Sequence, residues 1–268
     1  MFRIQELCPA MTRSLSTFSM ALMTIALVVA FASNEARAAD EISIAAASDL
    51  QFVMKEIAAR YEKQTGTAVK LSFGSSGNFF AQIQNGAPFD LFFSADADYP
   101  RKLEAAGQAE SGTFYQYATG RIVLWVPNGS PIKLDQGMKA LLDPAIKKIA
   151  IANPAHAPYG RAAEAAMKSA GVYDQIAGKL VLGENISQTA QFVQSGNAEI
   201  GVLALSLALA DSLKDKGRFF VVPGELYPPL HQAAVVLSAS QKKPQARKFM
   251  EYLKSPEILA LLKQYGFE

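Results

Sequence analysis

Short apolar runs alternate along this chain with longer stretches whose apolar positions recur every three or four residues. Ile42 to Ala46 is a run of the first kind and reads as a strand. Leu50 to Gln64 is of the second kind: Val53, Ile57 and Tyr61 fall on one helical face, and Gly66 stops the helix. The alternation continues with a strand over Val69–Phe73, a helix over Asn78–Gln84, a strand over Leu91–Ser94 and a helix through Tyr99 to Ala106. Helices of this length between strands predict βαβ units and a mostly parallel sheet.

The pattern then breaks. Tyr117 to Val126 is one long extended run, closed by Pro127-Asn128-Gly129, and reads as a passage out of the first unit. A second series follows, with strands at Ile149–Ile151, Leu180–Leu182 and Ile200–Leu203. Helices are predicted at Gly160–Ala170, Ser187–Ser195 and onward through Leu213. Ala233–Leu237 is a late apolar strand suited to return to the first unit, and Pro244–Lys254 and Pro256–Tyr265 read as closing helices. The fold predicted is α/β with two lobes and a cleft, each lobe a mainly parallel sheet flanked by helices. Residues 39–121 and 234–268 make lobe I, and residues 122–233 make lobe II.

The N-terminus is set apart by composition. Arg3 and Arg13 precede an apolar core from Met20 to Ala32, and Ala36-Arg37-Ala38 supplies a small-x-small cleavage site. That is the layout of a secretory signal peptide over residues 1–38, and the core is too short for a span that needs about 20 residues. An uncleaved anchor is the alternative reading, and Met11 is a second candidate start. Cleavage after Ala38 leaves 230 of the 268 residues and removes the only cysteine, Cys8. The mature chain thus has no disulfide and no thiolate site. It keeps 23 of the 26 basic and 22 of the 24 acidic residues, because Arg3, Arg13, Arg37, Glu6 and Glu35 leave with the leader. So small a net charge gives no basis for a nucleic-acid or acidic-membrane partner. An exported, soluble, globular protein is expected.

Candidate chemistry lies where strands give way to helices, because ligands of open α/β sheets gather at the carboxyl ends of strands. Four such junctions stand out: Ala46-Ala47-Ser48-Asp49, Gly74-Ser75-Ser76-Gly77, the stretch from Asn153 to Gly160, and Gly183-Glu184-Asn185-Ile186-Ser187. Each offers free backbone N–H groups and a positive helix-dipole end, which together suit an anion. None contains lysine, and the nearest arginine, Arg161, is already inside a helix. Ser, Asp and Asn before helices are also ordinary caps. Spacing alone does not identify an anion.

The mature chain resembles the periplasmic molybdate-binding proteins of ABC transporters over essentially its whole length. The matching segments are AAASDL at 45–50, FGSSGN at 73–78, QNGAPFDLFFSAD at 84–96 and NPAHAPYG at 153–160, with the closing YLKSPE and YGF. The resemblance implies a periplasmic-binding-protein fold of the Venus-flytrap type that closes on molybdate or tungstate and hands it to a membrane permease. It implies a periplasmic monomer with no catalytic activity, no cofactor and no nucleic-acid partner. The oxyanion contacts carried over are Ser48 and Ser76, each through hydroxyl and N–H, and the backbone N–H of Tyr159 and of Ile186. These touch oxyanion oxygens and do not ligate the metal directly. A tyrosine hydroxyl present in some members is missing, since Ala204 stands at its place.

Asp49 departs from relatives that carry an apolar residue or Asn there. A carboxylate facing a dianion repels it by several kcal/mol at low effective dielectric, so Asp49 is expected to turn away onto the first turn of its helix. An inward Asp49 would instead favour phosphate, which often carries a proton near neutral pH. His156 and His231 lack metal-ligand spacing, although His156 sits in the Tyr159 loop and is placed to orient it. Asp90, Asp96 and Asp98 are too loosely spaced for a Ca²⁺ loop of the EF-hand type. Phe79, Phe80, Phe92 and Phe93 are expected in the core. The alternatives to molybdate are another tetrahedral oxyanion, sulfate or phosphate, and an exported hydrolase. The hydrolase lacks a nucleophile with a base in reach and a G-x-S-x-G elbow.

Overall fold

Strand β1, Glu41–Ala47, is buried without a break from Ile44 onward, the mark of a strand covered on both faces. The computed structural model describes residues 41–268, so the signal peptide read at residues 1–38 lies outside the described residues. After β1 come a short 3-10 turn at Ser48–Leu50, helix α1 (Gln51–Thr65), β2 (Ala68–Gly74), α2 (Ser76–Gln84), β3 (Leu91–Ser94) and α3 (Asp98–Ala105). Gly66 ends α1 in the left-handed conformation that glycine adopts without strain (φ 73°).

The extended run at 117–126 is two strands rather than one. β4 (Tyr115–Gly120) belongs to the first sheet and β5 (Ile122–Pro127) to the second, with Arg121 between them. Then follow β6 (Ile149–Ala152), α4 (Pro158–Ser169), α5 (Tyr173–Ile176), β7 (Leu180–Gly183), α6 (Ile186–Gln194), β8 (Ile200–Ala204) and α7 (Leu205–Ala208). The helix expected through Leu213 stops at Ala208, and turns lead into β9 (Gly217–Val221), a strand the sequence pattern did not announce. β10 (Leu230–Val236), α8 (Lys243–Leu253) and α9 (Pro256–Gln264) complete the chain.

The first sheet has the order β2-β1-β3-β10-β4 and the second β7-β6-β8-β5-β9. β1 pairs parallel to β3, and β6 parallel to both β7 and β8, as helical crossovers require. β10 runs antiparallel to β3 and β4, and β5 antiparallel to β8 and β9. Each sheet is therefore mixed, with one strand, β10 in the first and β5 in the second, running against its neighbours. β10 enters the first sheet against the direction of β3 and β4 already laid down, whereas β5 opens the second sheet and β8 and β9 later pair against it. β10 pairs with β4 from Leu230, so the boundary expected at 233/234 falls inside a strand of the first sheet.

Each sheet carries its own core. In the first, Phe249 of α8 meets Tyr61 of α1 edge-on at 5.0 Å and Phe93 of β3 at 6.1 Å. Phe79, Phe92 and Phe93 are buried as expected, while Phe80 is half-buried against Tyr99. Among the described residues no helix is long and apolar enough to cross a membrane. Because Phe249 is fully buried among aromatic partners, Phe249→Ala is expected to cost about 3–5 kcal/mol. Urea unfolding checks this, and a loss below about 1 kcal/mol would show that the ring does not hold α8 to the sheet.

Candidate functional site

Four helix starts converge because each follows a strand that ends on the same side of its sheet. β1 delivers Ser48, β2 delivers Ser76, β6 leads to Tyr159 and β7 to Ile186. All four residues line one small cavity of about 10 Å³, room for about one water, and all four are nearly or fully buried. The chain separates capping from lining at each start. Ser75 caps α2 by accepting from Asn78 N–H at 3.4 Å, and Asn185 caps α6 by accepting from the N–H groups of Ser187 and Gln188, both at 3.0 Å. Pro158 opens α4 where a missing N–H costs nothing. The lining residues that follow sit in first turns, whose N–H groups have no helical carbonyl to bond.

The two serine hydroxyls are oriented by what they accept. Ser76 Oγ takes the Ala95 N–H at 2.9 Å, and Ser48 Oγ takes the Ser187 N–H at 3.4 Å. With a lone pair committed in this way, each keeps its own proton free to donate. No lysine or arginine lines the cavity. Arg161 turns aside to pair with Asp96 at 2.5 Å, beside a larger cleft of about 320 Å³ that shares Ala95 and Pro158 with the cavity. Ala204 ends β8, fully buried, and offers no hydroxyl.

Asp49 does not turn away from the anion cavity as the sequence reading expected. It lines the same cavity, is 1% exposed, and its Oδ2 accepts from Gln232 Nε2 at 2.7 Å and from Tyr159 Oη at 3.0 Å. Gln232 Nε2 also reaches Tyr159 Oη at 3.0 Å, while Gln232 Oε1 accepts from Tyr117 Oη at 2.8 Å. These neutral donors answer for the carboxylate that the helix start was expected to hold. They do not answer fully: Oδ1 is buried with no hydrogen-bond partner. Burial raises the Asp49 carboxyl from 3.8 to about 6, against the lowering effect of the bonds from Gln232 and Tyr159. Burial likewise pushes the Tyr117 and Tyr159 hydroxyls well above the usual phenol range, so both remain donors.

The cavity lies in a seam between elements of the two sheets. Gly77 N–H donates to the His156 carbonyl at 2.9 Å, Ser75 Oγ meets His156 Nδ1 at 2.9 Å, and Ser187 Oγ donates to the Ser48 carbonyl at 2.9 Å. Ser206 Oγ adds a bond to the Asp49 carbonyl at 2.8 Å. A Cβ on Gly77 would stand 2.6 Å from the His156 carbonyl oxygen, so only glycine permits this approach. The run Gly74-Ser75-Ser76-Gly77 is thereby resolved into a strand end, a cap, a lining hydroxyl and a seam contact. Gln232 and Ser206 were not singled out from sequence, and Ser187 only as part of its junction. Of the two missed, only Gln232 carried a signal, as a polar residue entering a buried apolar strand.

The remaining candidates lie elsewhere. His231 is exposed beside Gln116 and Thr119, and Asp90 is tied to Ser43 and Ser240. Among the described residues no group of three or more His, Cys, Asp or Glu is arranged to hold a metal ion.

The raised Asp49 carboxyl makes stability depend on pH with a definite sign. Between about pH 4 and 6 the folded protein holds a proton that the unfolded chain has released, so stability falls as pH rises through that window. Asp49→Asn abolishes this dependence. Relative to that variant, the protein is expected to lose on the order of 3 kcal/mol between pH 4 and pH 7, measured by urea unfolding without added anion. Parallel curves for the two proteins would exclude it.

A family model described as bacterial extracellular solute-binding protein matches residues 42–268. The molybdate-binding protein ModA of Azotobacter vinelandii is 40% identical over 251 residues, covering 94% of this chain and 98% of the relative. Its namesake from Rhodobacter capsulatus is 38% identical over 257 residues, covering 96% and 99%. Among solved structures, the periplasmic molybdate-binding protein of Azotobacter vinelandii superposes with a TM-score of 0.80 at 34% identity, covering 85% of this chain and 98% of that one.

Proposed function

Because the chain belongs to the bacterial extracellular solute-binding proteins, with ModA-type molybdate-binding proteins as near relatives, we propose that it captures molybdate in the seam cavity. It is the binding component of an ABC importer and delivers the anion, molybdate or tungstate, to a membrane permease from the periplasm. It acts by binding and carries out no reaction. The observation that carries the reading is the cavity itself, where Ser48, Ser76, Tyr159 and Ile186 converge without a single basic side chain. An oxyanion there is held by N–H dipoles and two oriented hydroxyls, with oxygen atoms and not the metal as the atoms contacted.

Capture works by closing the seam. The two sheets contribute contacts to the same small volume, so only the closed arrangement offers all donors at once, and the anion shifts the open–closed balance toward it. Sheet membership supports lobes that divide at Arg121 and again between β9 and β10. Sulfate offers the same oxygens and is distinguished by cavity size; the inward Asp49 favours phosphate, and the kinship with molybdate-binding relatives is what sets molybdate ahead of it.

Hydrogen bonds to a charged group are worth about 1.5–3 kcal/mol each. Ser76→Ala and Ser48→Ala are therefore each expected to weaken molybdate binding roughly tenfold to a hundredfold, read by calorimetry. Unchanged affinity in both variants removes the site assignment. A thermal-shift panel with molybdate, tungstate, sulfate and phosphate tests the ligand class, since only an anion that binds the folded state raises the melting temperature. Stabilisation by phosphate or sulfate alone would move the protein to another oxyanion.

A further inference from the structure

The oxyanion reading leaves one group unused: a carboxyl in the wall of a cavity built for a dianion. Asp49 is sealed from solvent, and of its two oxygens only Oδ2 is hydrogen-bonded. Both Oδ2 donors, Tyr159 Oη and Gln232 Nε2, are neutral. Oδ1 has none. An unanswered buried acceptor is costly by itself, and a second negative charge placed in the same cavity adds repulsion across a water-poor space.

No cation relieves that repulsion. The 3-10 turn holding Asp49 packs against α1, β2, α6 and α7. Neither α6 nor α7 contains a titratable residue. On α1, Lys55 is exposed over the Phe73 ring and Glu56 is paired with Arg60; on β2, Lys70 is exposed. Across the seam stand Tyr159 and, from the sheet, Tyr117, both with hydroxyls held neutral. Arg161 is engaged by Asp96. His156 is the other group of the seam able to take a proton, and it turns to Ser75 and, at 3.6 Å, to Glu184.

Resting on the oxyanion reading above, we propose that the closed site takes up one proton with each anion and that Asp49 holds it. The step is a simple protonation: the carboxylate accepts a proton from solvent, no other bond forms or breaks, and the anion keeps its full charge. Once protonated, Oδ1 changes from an acceptor without a partner into a possible donor, and the repulsion disappears. Molybdate brings no proton of its own near neutral pH, so the proton counted must come from solvent. Burial already raises the carboxyl to about 6 before any anion enters. A neighbouring dianion moves it further in the same direction.

The experiment is calorimetric titration of the full mature protein with sodium molybdate at pH 7.5, in buffers of different ionisation heat. The dependence of the observed heat on buffer heat counts protons. The expected result is close to one proton taken up per molybdate, with affinity falling tenfold per pH unit above neutrality. Asp49→Asn is expected to show no uptake and a flat pH profile, whereas His156→Gln retains the uptake and the pH dependence. Binding by the unaltered protein with no proton uptake overturns the proposal while the oxyanion reading stands, and needs no variant to fold. Uptake that survives Asp49→Asn, or vanishes in His156→Gln, overturns the assignment to Asp49. Absence of any molybdate binding overturns the molybdate reading and this proposal with it.

Discussion

Backbone amides at the first turn of a helix have no carbonyl to bond, and parallel strands place such turns side by side. This single geometric fact organises the protein. β1 and β2 in one sheet, and β6 and β7 in the other, end where Ser48, Ser76, Tyr159 and Ile186 begin their turns. A site assembled this way carries partial positive charge without lysine or arginine. It avoids the long, strongly hydrated cations that would bind any anion and resist desolvation. Discrimination then falls to the dimensions of the cavity and to the few side chains in its wall.

The wall is where the two sheets depend on one another. Asp49 and Gln232 belong to the half built on the first sheet, and Tyr159 to the half built on the second. Their shared hydrogen bonds place the Tyr159 side chain at the seam, and the residue also lines the cavity. One residue thus takes part in both holding the halves together and forming the site. The glycine at 77 serves the same end by a different means, since it lets one backbone approach another closely enough to bond.

Much of this was legible in the chain. Strand and helix positions followed from period, because strands such as β1 and helices such as α1 bury stripes that recur at the right spacing. Strand direction was not legible, since an antiparallel insertion such as β10 has the same apolar pattern as a parallel strand. β9 was missed because none of its residues is fully buried and it carries the exposed Phe219, so it lacks the burial pattern that marks an inner strand. At the site, the lining residues could be located from the junctions and from family resemblance, but the orientation of Asp49 could not. Its direction is set by Tyr159 and Gln232, which lie 110 and 183 residues away in sequence, and no local rule connects them.

The order of strands also bears on how the molecule comes together. Every strand of the second sheet lies within residues 122–221, whereas the first sheet lacks its fourth member, β10, until almost the whole chain exists. Until then β3 and β4 have no strand between them, and the aromatic cluster around Phe93 waits for Phe249. A chain that appears from its amino end therefore completes its middle portion first and its beginning last, and Gln232 reaches Asp49 and Tyr159 only once the final segment has docked.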